Sequence, residues 1–293
     1  MSHAVVNSKI TINTILQKKR RGEKIVMVTA YDYPTSRALD EGGVDILLVG
    51  DSMGMVVGGL DSTLPVTMDA MVYHTAMVSR GRKNALVVGD MPYMSYHVSR
   101  ARTIENASRF IREGGAEAVK IEGGRKRANT IRDILRAEIP VIGHVGLTPQ
   151  SLHLMGGYRV QGRTAEVAQG IIDDAQFLQD AGIFSIVLEG VPTEVAARIT
   201  EKLEIPTIGI GAGRGCDGQV LVIHDMLGFT DKTTAKFVRR YRDYFADVQA
   251  VAREFRRDIE TGAFPADSES YHMAPGESLG AEQAPPGVRA ARP

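Results

Sequence analysis

The chain has 293 residues, 43% of them hydrophobic and 24% charged, so it is long enough and apolar enough for a large globular core. Lys+Arg and Asp+Glu both number 35, and a formal net charge of zero gives no reason to expect nucleic acid or an anionic membrane surface as a partner. The one cysteine, Cys216, excludes an intrachain disulfide framework and fits a reducing cytoplasm, while the absence of Trp weighs against stacking on single-stranded nucleic acid.

Residues 1–23 read as a loose start with a short helix over 11–19. They contain no long apolar h-region, so no signal peptide is expected. Nowhere does an apolar run approach the roughly 20 residues of a membrane span. Strand candidates follow at 25–30, 46–50, 86–90, 118–121, 141–145, 185–188, 207–210 and 220–223. Helical patterns lie between most of them, at 34–42, 67–81, 101–114, 127–137, 166–181 and 193–203; the spacing of Ala165, Ala168, Ile172 and Ala175 is amphipathic. Gly81, Gly114 and Gly182 stand where the glycine just past a helix end belongs. Alternation of β and α about eight times over about 210 residues predicts an α/β fold of the (β/α)8, or TIM-barrel, class. A doubly wound open sheet is the rival, but it would gather its ligand groups at one switch point rather than on successive strand ends.

The segment 146–165 has no long element and is rich in Gly, Thr, Gln and Arg. It follows the fifth strand, and its length predicts a lid or substrate loop. After the eighth strand a helical region is expected over about 232–261, with basic residues interleaved with Phe237, Tyr241, Phe245, Val248 and Phe255. That pattern fits an amphipathic helix packed on the barrel or on a neighbouring subunit, with a solvated basic face. A single barrel domain is therefore expected over 1–264. Residues 265–293 are rich in Pro, Gly, Ala, Ser and Glu and are predicted to form a disordered tail.

Polar residues recur where the strand candidates end. Asp51 and Ser52 follow 46–50, Asp90 ends 86–90, Lys120 lies within 118–121 with Glu122 just after it, His144 lies near the end of 141–145, and Glu189 follows 185–188. Parallel strands put those ends on one rim. Asp51, Asp90 and Glu122 are hard oxygen donors that repel one another unless a cation or protons intervene. With no His or Cys at those three strand ends, Mg2+ is favoured over Zn2+. Taken singly, each acid would as well cap the next helix or pair with a surface Arg.

Lys120 and Glu122, two apart on a strand, share one face. Lys120 then meets a substrate carboxylate or enolate oxygen, or simply pairs with Glu122; a Schiff base is a further option that a metal site would make redundant. His144 is placed to donate to substrate or orient a water, or is structural. Glu189 is the candidate general base or acid, its alternative being a cap for the helix at Thr193. The run Gly209-Ile-Gly211-Ala-Gly213-Arg-Gly215 would hold phosphate on backbone N–H groups or serve close packing.

Ten phrases together resemble the ketopantoate hydroxymethyltransferase family. They are Thr29-Ala-Tyr-Asp32, Val49-Gly-Asp-Ser-Met-Gly54, Pro65-Val-Thr-Met68, Gly89-Asp-Met-Pro92 and Val119-Lys-Ile-Glu-Gly-Gly124. They continue with Gly143-His-Val-Gly-Leu-Thr-Pro-Gln-Ser151, Gly156-Gly-Tyr-Arg-Val-Gln-Gly162, Val187-Leu-Glu189, Ile208-Gly-Ile-Gly-Ala-Gly213 and Asp217-Gly-Gln-Val-Leu-Val222. They cover nearly the whole predicted barrel. Tyr93 stands where the family more often has Phe, and the tail after Phe264 lies outside the pattern.

The resemblance implies a cytoplasmic, Mg2+-dependent enzyme of pantothenate biosynthesis. It would transfer a one-carbon unit from 5,10-methylenetetrahydrofolate to 3-methyl-2-oxobutanoate, giving 2-dehydropantoate and tetrahydrofolate. It further implies that Asp51, Asp90 and Glu122 fall on metal positions, that Asp51, Ser52, Asp90 and Lys120 bind the ketoacid, and that Glu189 is the proton acceptor. Large homo-oligomeric rings, commonly decamers, are the assembly it implies. The physics agrees, since a 2-oxoacid chelates Mg2+ and the ion then stabilises its enolate, with Lys120 adding charge beside the oxyanion. The rivals are a metal-dependent barrel that cleaves or rearranges phosphonate or C–C bonds in 2-oxoacids, and a ligand-binding barrel without chemistry.

Overall fold

A computed structural model describes residues 8–230 and 235–278. Eight parallel strands close into a barrel in chain order. They are β1 (Ile25–Thr29), β2 (Ile46–Val49), β3 (Leu86–Asp90), β4 (Ala118–Glu122), β5 (Val141–Gly146), β6 (Ser185–Glu189), β7 (Thr207–Ile210) and β8 (Gly218–Leu221). The helices are α1 (Ile12–Arg20), α2 (Tyr33–Glu41), α3 (Met53–Val56), α4 (Met68–Gly81), α5 (Arg100–Arg112) and α6 (Ala128–Arg136), followed by α7 (Leu152–Met155), α8 (Ala165–Ala181), α9 (Thr193–Lys202), α10 (Ile223–Leu227) and α11 (Tyr244–Thr261). The (β/α)8 class expected from the sequence is the fold.

Alternation along the strands separates two apolar layers. One side of each strand faces the barrel interior, where Met27, Ile46, Leu48, Leu86, Val88 and Ile142 pack together. The other faces the helices, where Val28, Leu47, Val49, Val87, Val119 and Ile186 join the helical residues. Ile15 of α1 is wholly buried in the interior cluster, so the N-terminal helix plugs the barrel from the strands' N-terminal end. Helix starts are set by side chains that satisfy the first free N–H groups. Asp32 accepts from Thr35, Thr67 from Ala70, Ser99 from Arg102 and Thr164 from Val167.

Several expectations need correction. Of the three proposed helix-end glycines, only Gly182 takes the left-handed conformation, at φ 106°. Gly81 is the last residue of α4, and a Cβ there would meet the Tyr33 carbonyl at 2.5 Å; one at Gly114 would meet the Phe110 carbonyl at 2.6 Å. Both glycines serve close approach rather than backbone reversal. The last strand is Gly218–Leu221 rather than 220–223, because its pairing with β1 ends at Leu221 opposite Val28. The apolar run then continues into α10, whose first N–H, on Ile223, donates to Thr29 Oγ1.

The chain divides into one compact unit that ends at Asp243 and a second that begins at Tyr244. The expected helix over 232–261 is realised as Tyr244–Thr261, while residues 231–234 lie outside the described residues. In this second unit Val251, Phe255 and Ile259 are exposed, and Phe255 packs edge-on against Phe264. Of the tail expected to be disordered, 265–278 is described, with a turn at Asp267–Glu269; 279–293 lies outside the described residues, as does the loose start over 1–7. The loop 146–165 carries a short turn, Pro149–Ser151, and the four-residue α7.

Candidate active site

Strand register brings the polar strand-end residues together before any side chain is considered. Asp90 pairs with Lys120 across β3 and β4, Glu122 with His144 across β4 and β5, and Glu189 with Gly146 across β5 and β6. Each of these side chains continues the inward-facing alternation of its strand, so the rings of Leu, Val and Ile below give way to a polar layer above. Asp51, Asp90, Lys120, Glu122 and His144 are all less than 5% exposed. The Glu189 side chain, at 17%, is the most accessible acid of the group.

Lys120 Nζ lies 2.8 Å from Asp90 Oδ1 and 3.8 Å from Glu122 Oε1. The Asp90 contact is an ion pair without hydrogen-bond alignment. The Asp51 backbone N–H donates to Asp90 Oδ2 at 3.2 Å. His144 sits between two acids, with Nδ1 3.4 Å from Glu122 Oε1 and Nε2 3.3 Å from Glu189 Oε2. Ser52 is less central: its hydroxyl lies 2.9 Å from the Tyr31 hydroxyl, tying the end of β2 to the end of β1.

These contacts set the charges. Burial raises the Asp51 carboxyl well above the usual aspartate range, and the Asp90 and Glu122 carboxylates push it further than Lys120 and Gln150 can pull it back. Asp90 is raised mainly by burial, against the opposing Lys120 ammonium. Burial also works against the ionised Glu122, but His144, Lys120 and the Gln150 N–H outweigh it and hold this acid below its ordinary value. For Lys120 burial opposes the charge, and Asp90, Glu122 and Asp51 overcome it and keep the ammonium protonated beyond the usual lysine range. A Schiff base needs a neutral amine, so this environment argues against that option. Burial and Lys120 disfavour an imidazolium at His144, yet the Glu122 and Glu189 carboxylates push its pKa up to about 9.

The donor set fits a hard divalent cation at Asp51 and Asp90. Gln150 donates to Asp51 Oδ2, and among the described residues no hydrogen bond reaches Asp51 Oδ1; Asp90 Oδ2 accepts the Asp51 N–H, and its Oδ1 faces the Lys120 ammonium at 2.8 Å. Glu122 is more fully engaged, by His144 through Oε1 and by the Gln150 N–H at 3.0 Å through Oε2. Among the described residues no three His, Cys, Asp or Glu side chains are disposed to hold an ion by themselves. Oxygens from substrate or water would have to complete the shell, as is usual for Mg2+.

The sequence reading missed Gln150 and Tyr96. Both are buried, and the Tyr96 hydroxyl donates to Gln150 Oε1 at 2.6 Å. The only sequence signal was the position of Gln150 inside the strand-five phrase and its loop. The glycine run after β7 is accounted for by packing: a Cβ at Gly213 would meet Thr193 Oγ1 at 2.4 Å, and one at Gly211 the Phe237 ring at 2.7 Å. A cavity of about 470 Å³ opens beside the rim between the loops after β4 and β5 and α8, lined in part by Lys126, Val145, Met155, Gln161 and Ile171.

A family model described as ketopantoate hydroxymethyltransferase matches residues 9–267. The 3-methyl-2-oxobutanoate hydroxymethyltransferase of Koribacter versatilis is 54% identical over 266 residues, covering 91% of this chain and 90% of that protein. The protein of the same name from Trichlorobacter lovleyi is also 54% identical, covering 91% of this chain and all of its own length. Among solved structures, a putative phosphonomutase from Burkholderia cenocepacia superposes with a TM-score of 0.60 at 12% identity, covering 84% of this chain and 98% of the other. A 2,3-dimethylmalate lyase of the PEP mutase/isocitrate lyase superfamily does so with 0.55 at 16%, covering 89% and 91%. At such identities these structures share the barrel alone. Identity of 54% along nearly the whole chain decides between the two enzyme readings: the chain belongs to the ketopantoate hydroxymethyltransferase family.

Proposed function

We propose that this chain carries out the reaction for which its relatives are named, hydroxymethyl transfer to 3-methyl-2-oxobutanoate in pantothenate biosynthesis, through an enolate formed in the buried acid pocket. The one-carbon donor in this reading is 5,10-methylenetetrahydrofolate. The observation that carries it is the convergence of Asp51, Asp90, Lys120, Glu122, His144 and Glu189, from five strands, on one end of the barrel.

Asp51 and Asp90 would hold Mg2+, with Glu122 close behind, and the ion when bound would polarise the ketone as a Lewis acid. Ser52 and Lys120 bind the ketoacid beside these acids. Lys120 sets a fixed positive charge where the oxyanion develops, in a site almost closed to bulk solvent. Glu189 takes the C3 proton, since it is the most accessible acid and lies at the edge of the cluster. His144 faces both Glu189 and Glu122, and their carboxylates favour its charged form, which in turn holds Glu122 below its ordinary value. The body of the folate would border the loops after β5 and β7, and the cavity beside the strand-five loop supports the first of these.

Cys216 is free and buried, and no described helix is long and apolar enough to cross a membrane. A cytoplasmic enzyme is the setting that fits, and the exposed apolar face of α11 fits a large homo-oligomer such as a decamer. The test is product formation from ketoacid and methylenetetrahydrofolate, together with solvent-deuterium exchange at C3 of the ketoacid alone, each with and without Mg2+. Folate-dependent 2-dehydropantoate formation and Mg2+-dependent exchange are expected. Absence of both would sink the reading.

A further inference from the structure

We infer that Gln150 is a positioning residue for the ketoacid half-reaction: it fixes Asp51 and Glu122 in one arrangement and makes that arrangement depend on the loop after β5. The inference rests on the proposed ketoacid chemistry and assigns a role to a residue outside the acid cluster.

Gln150 touches the ends of three strands at once. Its Nε2 donates to Asp51 Oδ2 at 2.9 Å, beyond β2, and to the Met91 carbonyl at 3.0 Å, just past Asp90 of β3. Its backbone N–H donates to Glu122 Oε2 at 3.0 Å, at the end of β4. The carboxamide oxygen accepts from Tyr96, whose hydroxyl in turn accepts the Glu122 backbone N–H at 3.3 Å. Both amide hydrogens, the carboxamide oxygen and the main-chain N–H are therefore used, in a residue only 6% exposed. The orientation is not arbitrary. A flipped carboxamide would set its oxygen against the Asp51 carboxylate and the Met91 carbonyl, two acceptors, and lose the bond from Tyr96.

A glutamine that only held the loop in place would spend its bonds on main-chain groups. Here one goes to each of two acids that the pocket depends on. By taking Asp51 Oδ2, Gln150 orients the carboxylate so that Oδ1 is the oxygen left for ligands. By taking Glu122 Oε2, its main chain leaves Oε1 to Lys120 and His144. Pro149, with φ fixed by its ring, and the turn Pro149–Ser151 hold Gln150 at this point of the loop. The loop that looked like a lid in the sequence thus supplies the donor that completes the acid arrangement.

The test compares Gln150→Leu, Tyr96→Phe and the double variant with the unmodified protein. It reads ketoacid affinity by calorimetry in Mg2+, C3 deuterium exchange without folate, and thermal melting. Hydrogen bonds to buried charge are each worth enough that Gln150→Leu should weaken ketoacid binding or slow exchange by roughly 10–100-fold. Tyr96→Phe should act in the same direction by a smaller factor. The double variant should be no worse than Gln150→Leu, because both act through one network. Gln150→Asn, which keeps a carboxamide but shortens its reach toward Asp51, should fall between the unmodified protein and Gln150→Leu. If Gln150→Leu does not fold, Tyr96→Phe and Gln150→Asn carry the same test. Ketoacid affinity and exchange unchanged in all soluble variants, with only melting lowered, would overturn the inference, as would additive losses in the double variant. Failure of exchange in the unmodified protein would instead count against the proposed function itself.

Discussion

The two rims of the barrel use the same residue types to opposite ends. At the N-terminal rim three acids each stand just before a strand, matched to a lysine and to a backbone N–H of the strand beside it. Asp45, ahead of β2, takes Lys18 and the Val26 N–H; Asp217, ahead of β8, takes Lys19 and the Thr207 N–H; Glu117, ahead of β4, takes Lys9 and the Val87 N–H. At the C-terminal rim, Asp51, Asp90, Glu122 and Glu189 crowd around one ammonium and one imidazole. The lower acids are satisfied and hold strands together. The upper acids are oversubscribed, and their surplus negative charge is stable only with a cation, protons or a ligand to share it. An acid at a strand end is therefore informative by its unmet demand rather than by its presence.

The contrast predicts that upper-rim substitutions cost activity but not stability. The largest loss is expected for Glu189→Gln, which should slow the proton-transfer step by roughly 10²–10⁴-fold while ketoacid and Mg2+ still bind. Deuterium exchange at C3 without folate locates the step: slow exchange places Glu189 at enolate formation, and normal exchange with slow turnover moves it to the folate half. Normal exchange and turnover together would leave Glu189 a plain strand-end acid. Next come Asp51→Asn and Asp90→Asn, each expected to lower turnover by about 10²–10³-fold. Asp51→Asn should also leave the melting temperature unchanged or raised, because it removes one of the crowded carboxylates. A marked fall in melting temperature with turnover intact would erase the distinction between the rims.

The barrel itself was open to reading because each fully buried parallel strand is a short continuous apolar run, and the acid or lysine at its end interrupts the run at a countable position. The shared face of Lys120 and Glu122 followed from spacing alone and agrees with their common contact. Gln150 and Tyr96 were hidden for the opposite reason. A polar residue in a loop has no periodicity, and only the folded course of 146–165 carries Gln150 back across three strands to Asp51. The lower-rim acids were equally quiet, since Asp45, Glu117 and Asp217 precede their strands as any capping residue would.

Asp40 tests the stabilising side of the contrast. Its carboxylate accepts the N–H groups of Lys83, Asn84 and Ala85 at 3.0, 2.9 and 2.7 Å, holding the entry to β3. Burial works against its charge, but the three backbone bonds prevail and lower its pKa from 3.8. A depressed folded-state value means that the contribution is complete above the unfolded value and is lost as pH falls through the folded one. Asp40→Asn should therefore cost about 1–3 kcal/mol at neutral pH, with kcat within about twofold of the unmodified enzyme. The difference in stability between the two proteins should shrink as denaturation is repeated at pH values falling below 3.8. A gap that stays constant through that range would show that packing, and not the carboxylate, holds the strand entry.

The smallest effect belongs to a contact that looks strong. Lys9 Nζ lies 2.7 Å from Glu117, at the lower rim, and also donates to the Ala85 carbonyl at 2.9 Å. Yet partial burial lowers the Lys9 pKa despite the carboxylate beside it, so the fold disfavours this ammonium more than the pair favours it. Glu117 is not left alone when Lys9 goes, because Arg82 lies 3.4 Å from the same oxygen and the Val87 N–H donates to it at 3.2 Å. Removing one cation from an acid with two other partners leaves no uncompensated charge, and partly exposed pairs contribute little. Lys9→Met should thus change stability by less than about 1 kcal/mol in either direction, measured by urea denaturation at neutral pH. A loss of about 3 kcal/mol or more would mean that Arg82 does not replace Lys9 at Glu117, and that even a doubly served acid at this rim depends on its shortest ion pair.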